Sequence, residues 1–147
     1  MVLMAINIMV QVAMQSIRFP NRYVRLVGQG VTSFTGTGSG TVNTQTYIST
    51  YETYSLVVNN NGTVSFKSTV INNAFLCLDA TGVAAGQNLA SGGGTVNAQF
   101  TARSYEQFKI HKKVGPAGMY QGIVGIESAA LPGRYLRLDG SANKVNV

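Results

Sequence analysis

The segment Pro20-Asn21-Arg22-Tyr23-Val24-Arg25-Leu26 returns near the other end of the chain as Pro132-Gly133-Arg134-Tyr135-Leu136-Arg137-Leu138, sharing P-x-R-Y-aliphatic-R-L. A chain that repeats itself at long period builds equivalent units that bury their apolar faces against one another. Halfway between the two copies stands a degenerate third, Phe75-Leu76-Cys77-Leu78, which keeps aromatic-aliphatic-x-Leu. A second motif behaves in the same way. Gly40-Thr41-Val42-Asn43, Gln45 and Tyr51-Glu52 are matched by Gly94-Thr95-Val96-Asn97, Gln99 and Tyr105-Glu106, every element displaced equally, and Lys144-Val145-Asn146-Val147 opens a further copy.

Each unit reads as four strands. The first covers Gln15 to Phe19, Val64 to Ser68 and Ile123 to Glu127; the second carries R-Y-x-R-L; the third begins at T/K-V-N; the fourth covers Tyr51 to Val58 and Tyr105 to Lys112. These are short alternating or β-rich runs bounded by Gly, Asn and Ser, and none carries a helical period. Asn59-Asn60-Asn61-Gly62, between a fourth and a first strand, ends in Asn-Gly, a strong hairpin signal. Three units of about fifty residues with four strands each predict an all-β chain, specifically a β-trefoil, because propellers need four or more blades. The expected units are 11–62, 63–113, and 114–147 together with 1–10, in a single domain.

The third unit stops before its fourth strand, which would leave unpaired backbone on a sheet edge. Met1 to Val10 (MVLMAINIMV) is apolar, β-compatible and placed just before the first unit. It is expected to close the ring, in its own subunit or in a neighbour's as a homo-oligomer. The same stretch resembles a signal-peptide apolar region, but it lacks a basic leader and a small-x-small cleavage site. No run approaches eighteen apolar residues, so no membrane-spanning helix is expected.

Composition narrows the chemistry. Eleven Lys and Arg against five acids give a net charge of +6 and an isoelectric point near 9.7, which permits a polyanionic partner. The densest basic stretch holds Arg103, Lys109, His111, Lys112 and Lys113, either a solvated strand face or a site for sulfated glycan. Cys77 is the single cysteine and His111 the single histidine, so no internal disulfide, cysteine zinc site or multi-histidine metal site can form. No cofactor is expected. The acids Glu52, Asp79, Glu106, Glu127 and Asp139 are scattered, with none obviously beside His111. Equivalent positions such as Asp79 and Asp139, or Glu52 and Glu106, belong to different copies of a site, whereas a catalytic carboxylate pair needs separations of roughly 5–9.5 Å. The chain is therefore not expected to be an enzyme. Gly36 to Gly40 and Gly92-Gly93-Gly94 lack a following Lys-Ser/Thr and read as hairpin loops. Asn61-Gly62-Thr63 is a glycosylation triplet that an Asn-Gly turn also produces.

The stretch IVGIESAALPGRYLRLD, Ile123 to Asp139, resembles the repeat signature of the arabinofuranose-binding domains of arabinofuranosidases, the family-42 carbohydrate-binding modules, which run F-E-S-x-N-x-P-G-R-Y-L-R-H and later D-A-T-F-R-V. SIRFPNRYVRL with YETYSLVV, and VSFKSTVINNAFLCLD with YEQFKI, are similar to the same template, so the resemblance covers most of the chain from Gln15 onward. A weaker one, over Glu127 to Gly133, is to interleukin-1-like trefoils. The resemblance implies a β-trefoil and an extracellular, non-catalytic, lectin-like module. Alternatives are a self-associating scaffold and a cytokine-like or heparin-binding ligand. In the resembled family the His closing R-Y-L-R-H and the Asp of D-A-T-F bind sugar; here Leu26, Leu78 and Leu138 stand at the first position, and Tyr51 and Tyr105 at the second.

Candidate ligand residues follow from the repeat. Alternation puts Val24 and Leu26 on one face and Tyr23 and Arg25 on the other. Arg25 lying over Tyr23, and Arg137 over Tyr135, is either a packing contact or a platform with donors for a sugar or anion. Asp79 and Asp139 are either turn aspartates or acceptors for sugar hydroxyls. Cys77, where the other copies have Arg25 and Arg137, is expected to be partly exposed.

Overall fold

The computed structural model describes residues 9–139 and 143–147, so most of the expected closing segment, residues 1–8, lies outside the described residues. Among the described residues eleven strands follow one another: β1 (Gln11–Val12), β2 (Tyr23–Val27), β3 (Thr41–Gln45), β4 (Tyr54–Val58), β5 (Val64–Ser68), β6 (Ala74–Asp79), β7 (Thr95–Phe100), β8 (Phe108–Val114), β9 (Tyr120–Ser128), β10 (Arg137–Asp139) and β11 (Lys144–Asn146). Single 3-10 turns, Thr50–Glu52 and Ser104–Glu106, precede β4 and β8, and the described residues contain no α-helix. The expectation of an all-β chain holds.

Among the described residues all strand pairing is antiparallel. β1, β4, β5, β6 and β7 run side by side, and β8 joins β5 to β9, so that seven strands curl into a half-barrel; β2–β3 and β10–β11 are separate two-stranded hairpins. The inward faces supply the core: Tyr54, Phe66 and Phe108 meet ring to ring at 6.1 and 5.5 Å, over Val24, Leu26, Leu76 and Leu78. Tyr54 is fully buried and its hydroxyl donates to the Val24 carbonyl at 3.2 Å. Burial and the nearby Glu52 charge push its ionisation far above the ordinary phenol range.

Several strand boundaries differ from expectation: β9 starts at Tyr120, not Ile123, β10 starts only at Arg137, and the first and fourth strands shift. Gln15 to Phe19 is not the first strand: β1 is Gln11–Val12, and Gln15 makes only a bridge to Tyr23. The cause is a turn, in which Ser16 Oγ accepts the Phe19 N–H at 3.0 Å just before Pro20, which has no N–H to give a sheet. The fourth strands begin at Tyr54 and Phe108 rather than at Tyr51 and Tyr105. There, Glu52 and Glu106 reach back to accept the N–H groups of Ser49 and Arg103, both at 2.8 Å, and wind the chain into a 3-10 turn.

The same small devices recur along the chain. Ser16, Ser68 and Ser128 each accept, through Oγ, the N–H three residues on, from Phe19, Ile71 and Leu131. Gln15, Lys67 and Glu127 each bridge Tyr23, Phe75 and Tyr135. In the third strands Asn97 Nδ2 donates to the Thr37 carbonyl and Asn146 Nδ2 to the Ser91 carbonyl, clasping the hairpin loop of the preceding copy. Those loops turn through Gly38 and Gly92, at φ of 70° and 67°, where a Cβ would sit 2.3 Å from the Oδ1 of Asn97 and Asn146. The Oδ1 atoms of Asn43, Asn97 and Asn146 are buried without a hydrogen-bond partner. In the two clasps they lie against a glycine that no larger residue can replace.

Candidate functional site

β6 and the 3-10 turn Ser104–Glu106 face each other across a cleft of about 230 Å³, lined by Phe34, Cys77, Asp79, Gln99, Arg103, Tyr105 and Glu106 among others. Its outer wall is the loop before β3. Gln99 holds this wall by imitating a strand partner: its Oε1 accepts the Thr35 N–H at 3.1 Å while its Nε2 donates to the Thr35 carbonyl. Arg103 stands at the rim with its guanidinium 3.6 Å from the centre of the Phe34 ring, a stacked cation–π contact.

The floor is acidic and buried. Glu106 is 2% exposed; one oxygen accepts the Arg103 N–H, and the carboxylate shares the cleft floor with Cys77. Cys77 is not partly exposed, as its place in the repeat suggests, but 3% exposed. The wall and the turn cover the face of β6 that alternation directs outward. Burial first, then the Glu106 and Asp79 carboxylates, push the thiol far above its ordinary range. Asp79 follows the turn reading in one oxygen, Oδ1, which accepts the Thr81 N–H at 2.9 Å. Spacing between copies separates Asp79 from Asp139 but says nothing of Asp79 and Glu106, which share this cleft.

At the equivalent place beside β2, Arg25 stands where β6 has Cys77, opposite Asn43 as Cys77 is opposite Asn97. Arg25 does not lie over Tyr23; its guanidinium turns to Tyr51, 5.3 Å from the ring centre, and its Nε lies 3.4 Å from Glu52 Oε1. The reason is the charge of Glu52, 1% exposed, which draws the Arg25 guanidinium. Tyr23 remains half-buried on the bridge to Gln15. Arg137 donates instead to the carbonyls of Leu89 and Ala90, at 2.9 and 2.8 Å, and approaches Asp139 at 4.0 Å. Tyr135, 45% exposed, meets the edge of His111, not Arg137.

The basic stretch is likewise divided. Arg103 belongs to the cleft rim, whereas Lys109, His111, Lys112 and Lys113 are exposed on β8. An acid does stand beside the histidine: His111 Nε2 and Glu127 Oε2 are 2.6 Å apart, brought together by the β8–β9 ladder. Glu127 also accepts the Gly133 N–H at 2.6 Å. That backbone bond first, then His111 and the Lys109 charge, hold its carboxyl below the ordinary glutamate range. Among the described residues no three His, Cys, Asp or Glu side chains cluster to hold a metal ion, and no helix is long and apolar enough to cross a membrane.

Phe34 and Gln99 escaped the site reading from sequence, whereas Arg103 was read there as part of the basic stretch. The pairing of Gln45 with Gln99 in the repeat was the one available signal, and it marks the glutamine that holds the cleft wall. Compared with protein-family models and with the sequences of curated proteins, the chain finds no match.

Proposed function

We propose that the chain is a non-catalytic carbohydrate-binding module of β-trefoil architecture whose ligand cleft lies between β6 and the turn Ser104–Glu106. One observation carries the reading: beside β2 the Arg25 guanidinium lies against Glu52 and Tyr51, whereas beside β6, where Cys77 stands at the arginine's position, a cleft of about 230 Å³ lies between Cys77, Tyr105 and Glu106. The open cleft combines an aromatic residue, Tyr105, with hydrogen-bonding groups of both kinds, from Arg103, Asp79 and Glu106, the composition that suits a small polyhydroxylated ring. The recurring serine turns and asparagine clasps support the trefoil, and the P-G-R-Y-L-R signature supports the arabinofuranose type. The two carboxylates in the cleft are holders, since each has an oxygen committed to a backbone N–H that shapes the site.

Retention on an arabinoxylan column tests this. The chain is expected to be retarded, Tyr105→Ala to elute earlier, and a nitrophenyl arabinofuranoside to stay intact. Turnover of that substrate lost in Asp79→Asn would replace the binding reading with a hydrolytic one.

A further inference from the structure

The hairpin of β8 and β9 reaches out from the rest of the sheet. β5 meets β8 where Val64 pairs with Phe108, and the following chain meets β9 at its base, where Tyr135 bridges Glu127 and the Leu136 N–H donates to the Ile126 carbonyl. Beyond these points, among the described residues, the two strands pair with each other alone, from His111 opposite Gly125 to Val114 opposite Tyr120. Burial falls away at the same place: Phe108 is fully buried, whereas every β8 residue from Lys109 to Val114 is exposed. The turn at the end is well formed, with the Gly115 N–H donating to the Met119 carbonyl at 2.9 Å and the Gly118 N–H to the Gly115 carbonyl at 3.1 Å. Its side chains are nonetheless apolar, although turns that face water are ordinarily polar. Val114 is 57% exposed and Met119 73%, and Pro116 and Ala117 are exposed between them.

Cations stand directly behind this tip. Lys112 and Lys113 adjoin Val114, and Lys109 lies further back, opposite Glu127. His111 is engaged by Glu127 at 2.6 Å, and the sequence from Gln107 to Ile126 holds no acid. An apolar tip with a cationic collar matches the profile of an anionic bilayer, in which apolar side chains enter the acyl boundary while lysine stems cover apolar surface and their ammonium groups stay among the headgroups. Two other partners fit less well. A sulfated glycan would use the lysines and leave Val114 and Met119 uncovered, and lysines along β8 oppose the addition of a strand from another chain. We infer that the β8–β9 hairpin docks the chain tip-first on an anionic lipid surface, with Val114 and Met119 inserted and Lys112 and Lys113 at the headgroup level.

The test is sedimentation of the full chain with vesicles of phosphatidylcholine and phosphatidylserine in equal parts, beside vesicles of phosphatidylcholine alone. The chain should bind the mixed vesicles, bind them less as salt rises, and leave the neutral ones unbound. Val114→Ser/Met119→Ser removes apolar surface without touching charge and should weaken binding at least about tenfold; Lys112→Glu/Lys113→Glu should weaken it by at least as much. Both pairs lie at exposed positions, so thermal unfolding should match the parent's. Tyr105→Ala, in the cleft, should bind vesicles as the parent does, which separates this surface from the sugar site. No binding to mixed vesicles, or binding that survives Val114→Ser/Met119→Ser, would overturn the inference. Retention on heparin that the lysine variant loses and the tip variant keeps, with vesicles unbound, would assign the collar to a sulfated polymer instead.

Discussion

Arg25 and Glu52 form an ion pair at 3.4 Å across the junction of β2 and the following 3-10 turn, with the carboxylate side chain 2% exposed. Glu52 also accepts the Ser49 N–H that starts the turn. Arg25→Ala removes the cation and leaves the buried carboxylate its backbone donor alone. The expected loss is about 1–3 kcal/mol in urea unfolding, with Arg25→Lys losing less. Equal stability of Arg25→Ala and the parent would show that the pair does not hold the turn.

The asparagine clasps predict a glycine requirement. Gly92→Ala places a methyl 2.3 Å from Asn146 Oδ1 and forces a side chain into φ of 67°. A cost of at least about 1–3 kcal/mol follows from the backbone alone. Gly82→Ala, also at positive φ but with open space at Cβ, should cost less than Gly92→Ala. A thermal unfolding series that ranks the two equally would remove the clasp from the account.

Glu127 predicts acid sensitivity. Its carboxyl is held below the ordinary range when folded, so ionisation stabilises the fold. The contribution is full above the unfolded value of about 4.3 and fades as pH falls through the lower folded value. Glu127→Gln should therefore narrow the difference in stability between pH 6 and pH 3. An unchanged pH profile would contradict the assignment.

Cys77 should resist thiol reagents. Burial and two neighbouring carboxylates disfavour the thiolate that such reagents attack. Labelling by a disulfide reagent should follow unfolding, becoming fast only in denaturant. Rapid labelling of the native chain would show the cleft floor to be open.

The repeat was legible because its carriers are local: P-x-R-Y-aliphatic-R-L, T-V-N and Asn-Gly fix strands and turns by alternation and backbone conformation. Most strands therefore fell where the sequence put them, and the missing first-strand pairing after Val12 traces to Ser16 and Pro20, whose turn overrides the apolar pattern. The cleft was harder to read. Its wall comes from Phe34 and Thr35, far from Cys77 in sequence, and no periodicity links them. Alternation placed Arg25 beside Tyr23 and left Cys77 half-open; the buried charges of Glu52 and Glu106, hidden in 3-10 turns too short for a sequence period, decided both positions instead. Only the ladder between β8 and β9 reveals that His111 has an acid at its side.

The most direct test of the binding reading gives β6 the arginine of β2. Cys77→Arg supplies beside Glu106 the guanidinium that Arg25 supplies beside Glu52. An NMR titration with an arabinofuranose-bearing oligosaccharide should shift the amides of Gln99, Arg103 and Tyr105 in the parent, leave Tyr51 unmoved, and show affinity at least about tenfold weaker, or 1.4 kcal/mol, in folded Cys77→Arg. Equal affinity of the two proteins, or shifts confined to residues outside the cleft, would contradict the account.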